Sequence, residues 1–240
     1  MIAFSILLSS DETEARRPPP AIARNIRSFR EAHPSLPHHI YREPEIRSLL
    51  GGQFGADILR AYDTLRPFAY KADLARYCIL HEHGGVYADI GFRFLRSWLP
   101  VEGRICVFRD FIGATPWDTC NGVIAAPPRH KALEKAIELS CANVANAYYG
   151  PTPLCPTGPS LFGRAIAASC APEDVLTGDS RQIVHWPSLR DRRRHGLVRS
   201  GKLIALKTIA GGGRLAGLGL NGGNDYNELW RAGRVYGPKT

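Results

Sequence analysis

The sequence lacks any run of the roughly 18–20 uninterrupted apolar residues that a membrane-spanning helix needs, so no transmembrane segment is predicted. The opening Ile2-Ala3-Phe4-Ser5-Ile6-Leu7-Leu8 is short for a secretory signal and has no basic segment before it; it reads as a buried first strand. No Cys-x-x-Cys pair occurs among the cysteines at 78, 106, 120, 141, 155 and 170, which excludes the usual zinc spacings. A chain of 240 residues does not need disulfide staples, so reduced thiols and a cytoplasmic location are expected. Internal repeats are missing, and so is low complexity beyond Pro18-Pro19-Pro20. Gly211-Gly212-Gly213 is not followed by Lys-Ser/Thr, which removes a phosphate loop and leaves a flexible hinge before a closing tail.

What is present is ordinary for a folded protein. A hydrophobic fraction of 44% and a charged fraction of 22% exclude disordered and collagen-like classes. The length suits one α/β domain over residues 1–240. The net charge of +9 is concentrated in part at Arg190-Asp191-Arg192-Arg193-Arg194-His195. This stretch reads as a solvated loop, or as a patch that attracts an anionic membrane surface or a phosphorylated substrate. Nucleic acid is the weaker partner, because no aromatics interleave the arginines.

Along the chain, residues 21–32 carry apolar positions at helical spacing and stop before Pro34. His39-Ile40-Tyr41 reads as a second strand and residues 45–50 as a second helix. This alternation predicts an α/β fold with a mostly parallel central sheet. Pro67 suits a helix start, and residues 68–83 then run as a helix to Gly84-Gly85. From Val86 to Phe94 the alternation predicts one strand, with Tyr87, Asp89, Gly91 and Arg93 on one face. A carboxylate in an apolar strand is costly to bury without a partner. On the preceding helix Asp73 stands three residues before Arg76 and four before Tyr77, so the three share a face. His81 and His83 are spaced i, i+2 and read as solvent-facing helix-end residues rather than a metal pair.

Asp73-Leu74-Ala75-Arg76-Tyr77 followed by Gly84-Gly85-Val86-Tyr87-Ala88-Asp89 resembles the DXD-motif sugar transferases. That group includes capsular-polysaccharide transferases, initiating mannosyltransferases and, distantly, the clostridial glucosylating toxins. Asn121 to Pro127, Tyr148 to Pro159 and Asn224 to Trp230 resemble further segments of the same group. The resemblance implies a GT-A fold, a UDP- or GDP-linked sugar donor, a glycan or polysaccharide-precursor acceptor, retention of configuration and a divalent metal, usually manganese. Carried over by position, Asp73, Arg76 and Tyr77 belong to the donor-sugar site and Asp89 contacts ribose and metal. Asn121 joins Asp89 in the catalytic centre, Thr157 and Gly158 lie on the acceptor side, and the tail around Trp230 closes over the diphosphate.

The motif departs from Asp-x-Asp, because the sequence reads Asp89-Ile90-Gly91. Two repairs are open. Asp225 or Glu228 of the tail supplies the second metal carboxylate, or Arg93 offsets phosphate charge without metal. A third reading keeps sugar-nucleotide binding with weak transfer or none.

Overall fold

A computed structural model describes residues 1–11, 13, 16–101, 103–110, 113, 115–183, 194–208, 220 and 222–238. Arg190 to Arg193 and Gly211 to Gly213 lie outside the described residues, as does the side chain of Arg194.

The chain opens with β1 (Ile2–Ile6), whose apolar residues are buried from Ala3 onward, as expected of a strand covered on both faces. Helix α1 (Pro20–Ala32) follows, with proline at its first turn where a missing N–H costs nothing. Strand β2 (His38–Tyr41), helix α2 (Glu43–Leu49), a π-helical turn (Leu50–Phe54) and α3 (Ala56–Thr64) lead to the central helix α4 (Phe68–His83). Every residue of α4 from Asp73 to Leu80 is buried. A helix apolar on nearly all sides is an interior element, and Asp73 and Arg76 are therefore the conspicuous exceptions within it.

Gly84 ends α4 with φ +58°, and its N–H returns to the Leu80 carbonyl at 2.8 Å. Gly85 then opens β3 (Gly85–Ala88) at φ +116°. A Cβ there would stand 1.9 Å from the Ile2 carbonyl oxygen of β1, so glycine alone permits the close backbone approach. The expected long strand does not run through to Phe94. It breaks at Asp89, where the Phe92 N–H turns back to the Asp89 carbonyl at 3.1 Å, and resumes as β4 (Phe92–Phe94). Alternating burial continues across the turn, which is why the sequence pattern looks unbroken.

The remaining elements are β5 (Ile105–Asp110), β6 (Thr119–Ala126), α5 (Lys131–Ala145), α6 (Pro159–Ser169), β7 (Val175–Ile183), β8 (Arg194–Arg199), β9 (Lys202–Lys207) and α7 (Tyr226–Arg231). The strands form one sheet in the order β2-β1-β3-β6-β5-β7-β8-β9-β4. The sheet is mixed, not mostly parallel. Among the described residues β1–β2, β1–β3 and β5–β7 pair parallel, while β3–β6, β5–β6, β7–β8, β8–β9 and β4–β9 are antiparallel. The physical reason lies in the connections. Strands β8 and β9 are joined by a Ser200-Gly201 turn, which forces opposite directions. Strand β6 enters between β3 and β5 and runs against both.

Successive residues of the central strands feed two cores. Phe4, Tyr87 and Ile124 pack with α4, α5 and α6, through Tyr77, Ile137 and Phe162 among others. Ala3, Val86 and Val123 pack on the other side with Phe29 of α1 and with Phe94, Trp98 and Ala205. The far edge of the sheet thus bends back onto α1. The six cysteines are unpaired with one another, Cys78, Cys106 and Cys155 being buried. Among the described residues no helix is long and apolar enough to cross a membrane.

Candidate functional site

The carboxyl ends of β1 and β3 open into a cavity of about 390 Å³, where α/β sheets commonly bind ligands. Helix α4 brings Asp73 and Arg76 to its wall, the turn after β3 brings Asp89, and β6 brings Asn121. These four residues are wired together. Asp73 Oδ1 accepts from Asn121 Nδ2 at 2.8 Å and forms an ion pair with Arg76 Nη2 at 2.9 Å. Its Oδ2 accepts from Thr157 Oγ1 at 2.8 Å. Arg76 Nη1 reaches the Asn121 carbonyl at 2.7 Å and Asp89 Oδ1 at 3.1 Å, and Nε donates to the Ala72 carbonyl at 3.1 Å. The guanidinium stands 4.5 Å from the Tyr87 ring centre, while the Tyr87 hydroxyl donates to Asp89 Oδ1 at 2.5 Å.

This wiring leaves specific valences open. A carboxylate has about four lone-pair sites and a guanidinium five N–H groups, so Asp73 and Arg76 each keep about one for a ligand. Asp89 keeps more: its Oδ1 is doubly engaged, whereas Oδ2 meets no donor among the described residues and lies over Gly122. A Cβ at Gly122 would come within 2.6 Å of that oxygen, so glycine there makes room for it.

Burial is the main force on the Asp73 carboxyl and pushes it up to about 6; Arg76, Thr157 and Asn121 pull the other way, and the charge of Asp89 adds to the rise. Burial also disfavours the Arg76 cation, but Tyr87, Asp89 and Asp73 outweigh it and hold the guanidinium protonated. The sign for function follows. Asp73 anchors Arg76 and Asn121 as an anion, which forms as pH rises through about 6. Any kcat/KM that depends on this cluster should therefore climb to a plateau above pH 6. An acid limb centred instead on pH 4 would show that Asp73 titrates like an exposed carboxylate.

The other expected site residues take different places. Tyr77 is fully buried, stacks on Phe162 and donates to the Thr157 carbonyl at 2.8 Å, so it stands behind the wall with Thr157 rather than in the cavity. Gly158 lines the cavity, and Cβ space there is limited by the Leu154 carbonyl oxygen at 3.1 Å. Trp230 is half-buried and donates from Nε1 to the Tyr149 carbonyl at 3.0 Å, which fastens the tail to the loop before α6. Asp225 caps α7, accepting from the Asn227 and Glu228 amides at 2.9 and 3.3 Å, and is not among the described cavity residues. Glu228 is exposed. Arg93 is exposed as well and points away from the cavity lined by its neighbour Phe92. His81 is half-buried against Phe54, with Nδ1 shut away from solvent, and so is not the solvent-facing residue expected.

Sequence reasoning missed Asp110 and Lys207 and named His195 only as the end of the basic stretch; the three reach the same cavity from β5, β9 and β8. Within the tail that the sequence singled out, Asn224 to Trp230, two residues come nearest to the cavity. Asn224 accepts the Phe68 N–H at 2.9 Å and donates to the Arg66 carbonyl at 3.0 Å, and Tyr226 beside it lines the cavity mouth. Only the tail segment carried a readable signal. The strand residues depend on register across the sheet, which spacing does not encode.

The cavity lacks the second carboxylate of an Asp-x-Asp pair. Position 91 offers no ligand, Asp225 is committed to a helix cap, and among the described residues no three His, Cys, Asp or Glu side chains gather. Asp89 and Asp110 both line the wall, without a third ligand beside them.

Comparison with known proteins bears out the resemblance. Residues 19–107 match the glycosyltransferase sugar-binding region containing a DXD motif. This stretch holds α4, β3 and Asp89, whereas Asn121 and the tail lie beyond it. The chain is 29% identical over 133 residues to the initiation-specific alpha-1,6-mannosyltransferase of Schizosaccharomyces pombe, covering 47% of this chain and 34% of that protein. An uncharacterised glycosyltransferase of Acanthamoeba polyphaga mimivirus is 32% identical over 90 residues, covering 37% and 36%. The chain thus spans about a third of the length of these relatives. Among solved structures, PaToxG glycosyltransferase shares the fold with a TM-score of 0.52 at 16% identity, over 69% of this chain and 68% of that one. Glycosyltransferases of the DXD type generally bind a divalent metal.

Proposed function

Taking as premise that residues 19–107 are a glycosyltransferase sugar-binding region of the DXD type, we propose that the chain is a single-domain glycosyltransferase that uses a UDP- or GDP-linked sugar on a GT-A-like fold. The observation that carries this reading is the open Oδ2 of Asp89, held at the cavity mouth of a buried Asp73–Arg76–Asn121 network. A carboxylate oxygen fixed by two donors on its other atom is a rigid acceptor for a hydroxyl pair such as that of ribose. The single remaining valences on Asp73 and Arg76 suit a sugar hydroxyl that both donates and accepts. Tyr226, Asn224 and Trp230 would then form the tail that closes over the donor. Transfer to a glycan acceptor with retention is carried by the family resemblance alone.

Calorimetric titration with UDP and GDP tests the reading. Saturable binding of one of them, weakened at least tenfold by Asp73→Asn, is the expected result. No binding of either nucleotide would overturn it. A second reading, a sugar-nucleotide binder without turnover, is favoured by Gly91, and nucleotide release from the bound donor separates the two.

A further inference from the structure

Resting on the donor-site reading above, we propose that Lys207 is the cation that faces the donor's diphosphate, taking the place of the metal that an Asp-x-Asp motif would hold. Two full cations line the cavity among the described residues, Arg76 and Lys207. Arg76 is engaged by Asp73, Asp89, Asn121 and Ala72, and its remaining N–H is assigned to the sugar rather than to the diphosphate. Among the described residues Lys207 pairs with no carboxylate; its ammonium lies 5.7 Å from the Phe92 ring centre.

The position of Lys207 relative to the broken motif is what gives it this role. Strand β9 pairs with β4 in a register that sets Lys207 opposite Phe92, the residue after Gly91. Thr208 then ties down the turn itself, donating from N at 3.0 Å and from Oγ1 at 3.1 Å to the Gly91 carbonyl. Asn25 holds the same corner from α1, donating to the Ile90 carbonyl and to Thr208 Oγ1, each at 2.9 Å. Lysine and motif turn are therefore one rigid unit. On the neighbouring strand His195 stands opposite Lys207 in register. Burial and Lys207 lower its affinity for a proton against the pull of Asp110, so His195 serves as a neutral hydrogen-bonding group beside the lysine.

Glycine at 91 is not demanded by the fold. An added Cβ meets nothing within 4 Å, and its φ is not in the left-handed region. The missing carboxylate is thus a chemical choice. An aspartate at 91 would add a negative charge to the same cavity wall that Lys207 lines, whereas glycine leaves the ammonium to meet phosphate oxygens. As the bond from the sugar to the diphosphate oxygen breaks, the bonding pair stays on that oxygen, and the lysine N–H groups stabilise the charge that forms there.

The test is calorimetry with UDP and GDP in the presence of EDTA, then of manganese, on purified full-length chains. The wild-type chain is expected to bind equally well in both. Lys207→Gln should weaken binding about 10- to 100-fold, as for loss of one charged hydrogen bond, and Lys207→Arg should restore most of it. The double variant Gly91→Asp, Lys207→Gln restores Asp-x-Asp, and manganese should recover its binding at least tenfold over EDTA. Wild-type binding that needs manganese would overturn the proposal, as would Lys207→Gln binding like wild type or a double variant that manganese does not rescue. A wild-type chain that binds neither nucleotide fails the donor-site reading itself, and this inference falls with it.

Discussion

Arg76→Met is expected to cost about 3–5 kcal/mol of folding stability, because among the described residues it removes the cation paired with the buried Asp73 carboxylate. Asp73 would be left facing Asp89 with Asn121 and Thr157 as neutral partners. For a chain this long each kcal/mol moves the melting midpoint by about 2–4 °C, so the midpoint should fall by roughly 6–20 °C. Urea unfolding gives the same quantity independently. The contrast is Arg109→Met, whose bond to Asp179 is solvent-exposed on the arginine side and worth at most about 1 kcal/mol. Equal effects from the two substitutions would show that Arg76 is not the structural centre of the site.

Asp89→Asn is expected to leave the fold intact and lower kcat/KM about 100-fold. An asparagine oxygen still accepts from Tyr87 and Arg76, so the local scaffold survives. What disappears is the negative charge of the oxygen over Gly122, the acceptor to which the donor-site reading assigns the ligand. A charged hydrogen bond is worth about 1.5–3 kcal/mol, which corresponds to roughly a 10- to 150-fold loss. Donor kinetics within threefold of wild type, at unchanged melting midpoint, would remove Asp89 from the binding role.

The legible parts of this molecule are those in which local chemistry decides the structure. Pro67 and Gly84-Gly85 bracket α4 in the sequence, and the helix ends where they say. Asp73, Arg76 and Asp89 announce themselves as charges inside apolar elements, and the structure joins them by ion pairs of 2.9 and 3.1 Å. The break at Asp89 was hidden because Phe92 and Phe94 continue the alternation of Val86 and Ala88, although they belong to a different strand pair. Strand direction was hidden for a related reason. The parallel reading rests on the strand–helix alternation before α4, where β1 and β2 do pair parallel, and nothing in that alternation tells the direction of β6. Lys207 was out of reach, since its neighbourhood to Gly91 exists only through the β4–β9 register. Arg93, nearer in sequence, was the natural candidate, and the pleat turns it outward.

The central claim, that this cavity cleaves a sugar nucleotide, is tested most directly by nucleotide release from a panel of UDP- and GDP-sugars. Wild-type and Asp89→Asn chains should be run in parallel, with manganese and with EDTA. The account requires release from at least one donor by the wild-type chain, persisting in EDTA and falling about 100-fold in Asp89→Asn. Release that Asp89→Asn performs as fast as wild type would contradict it.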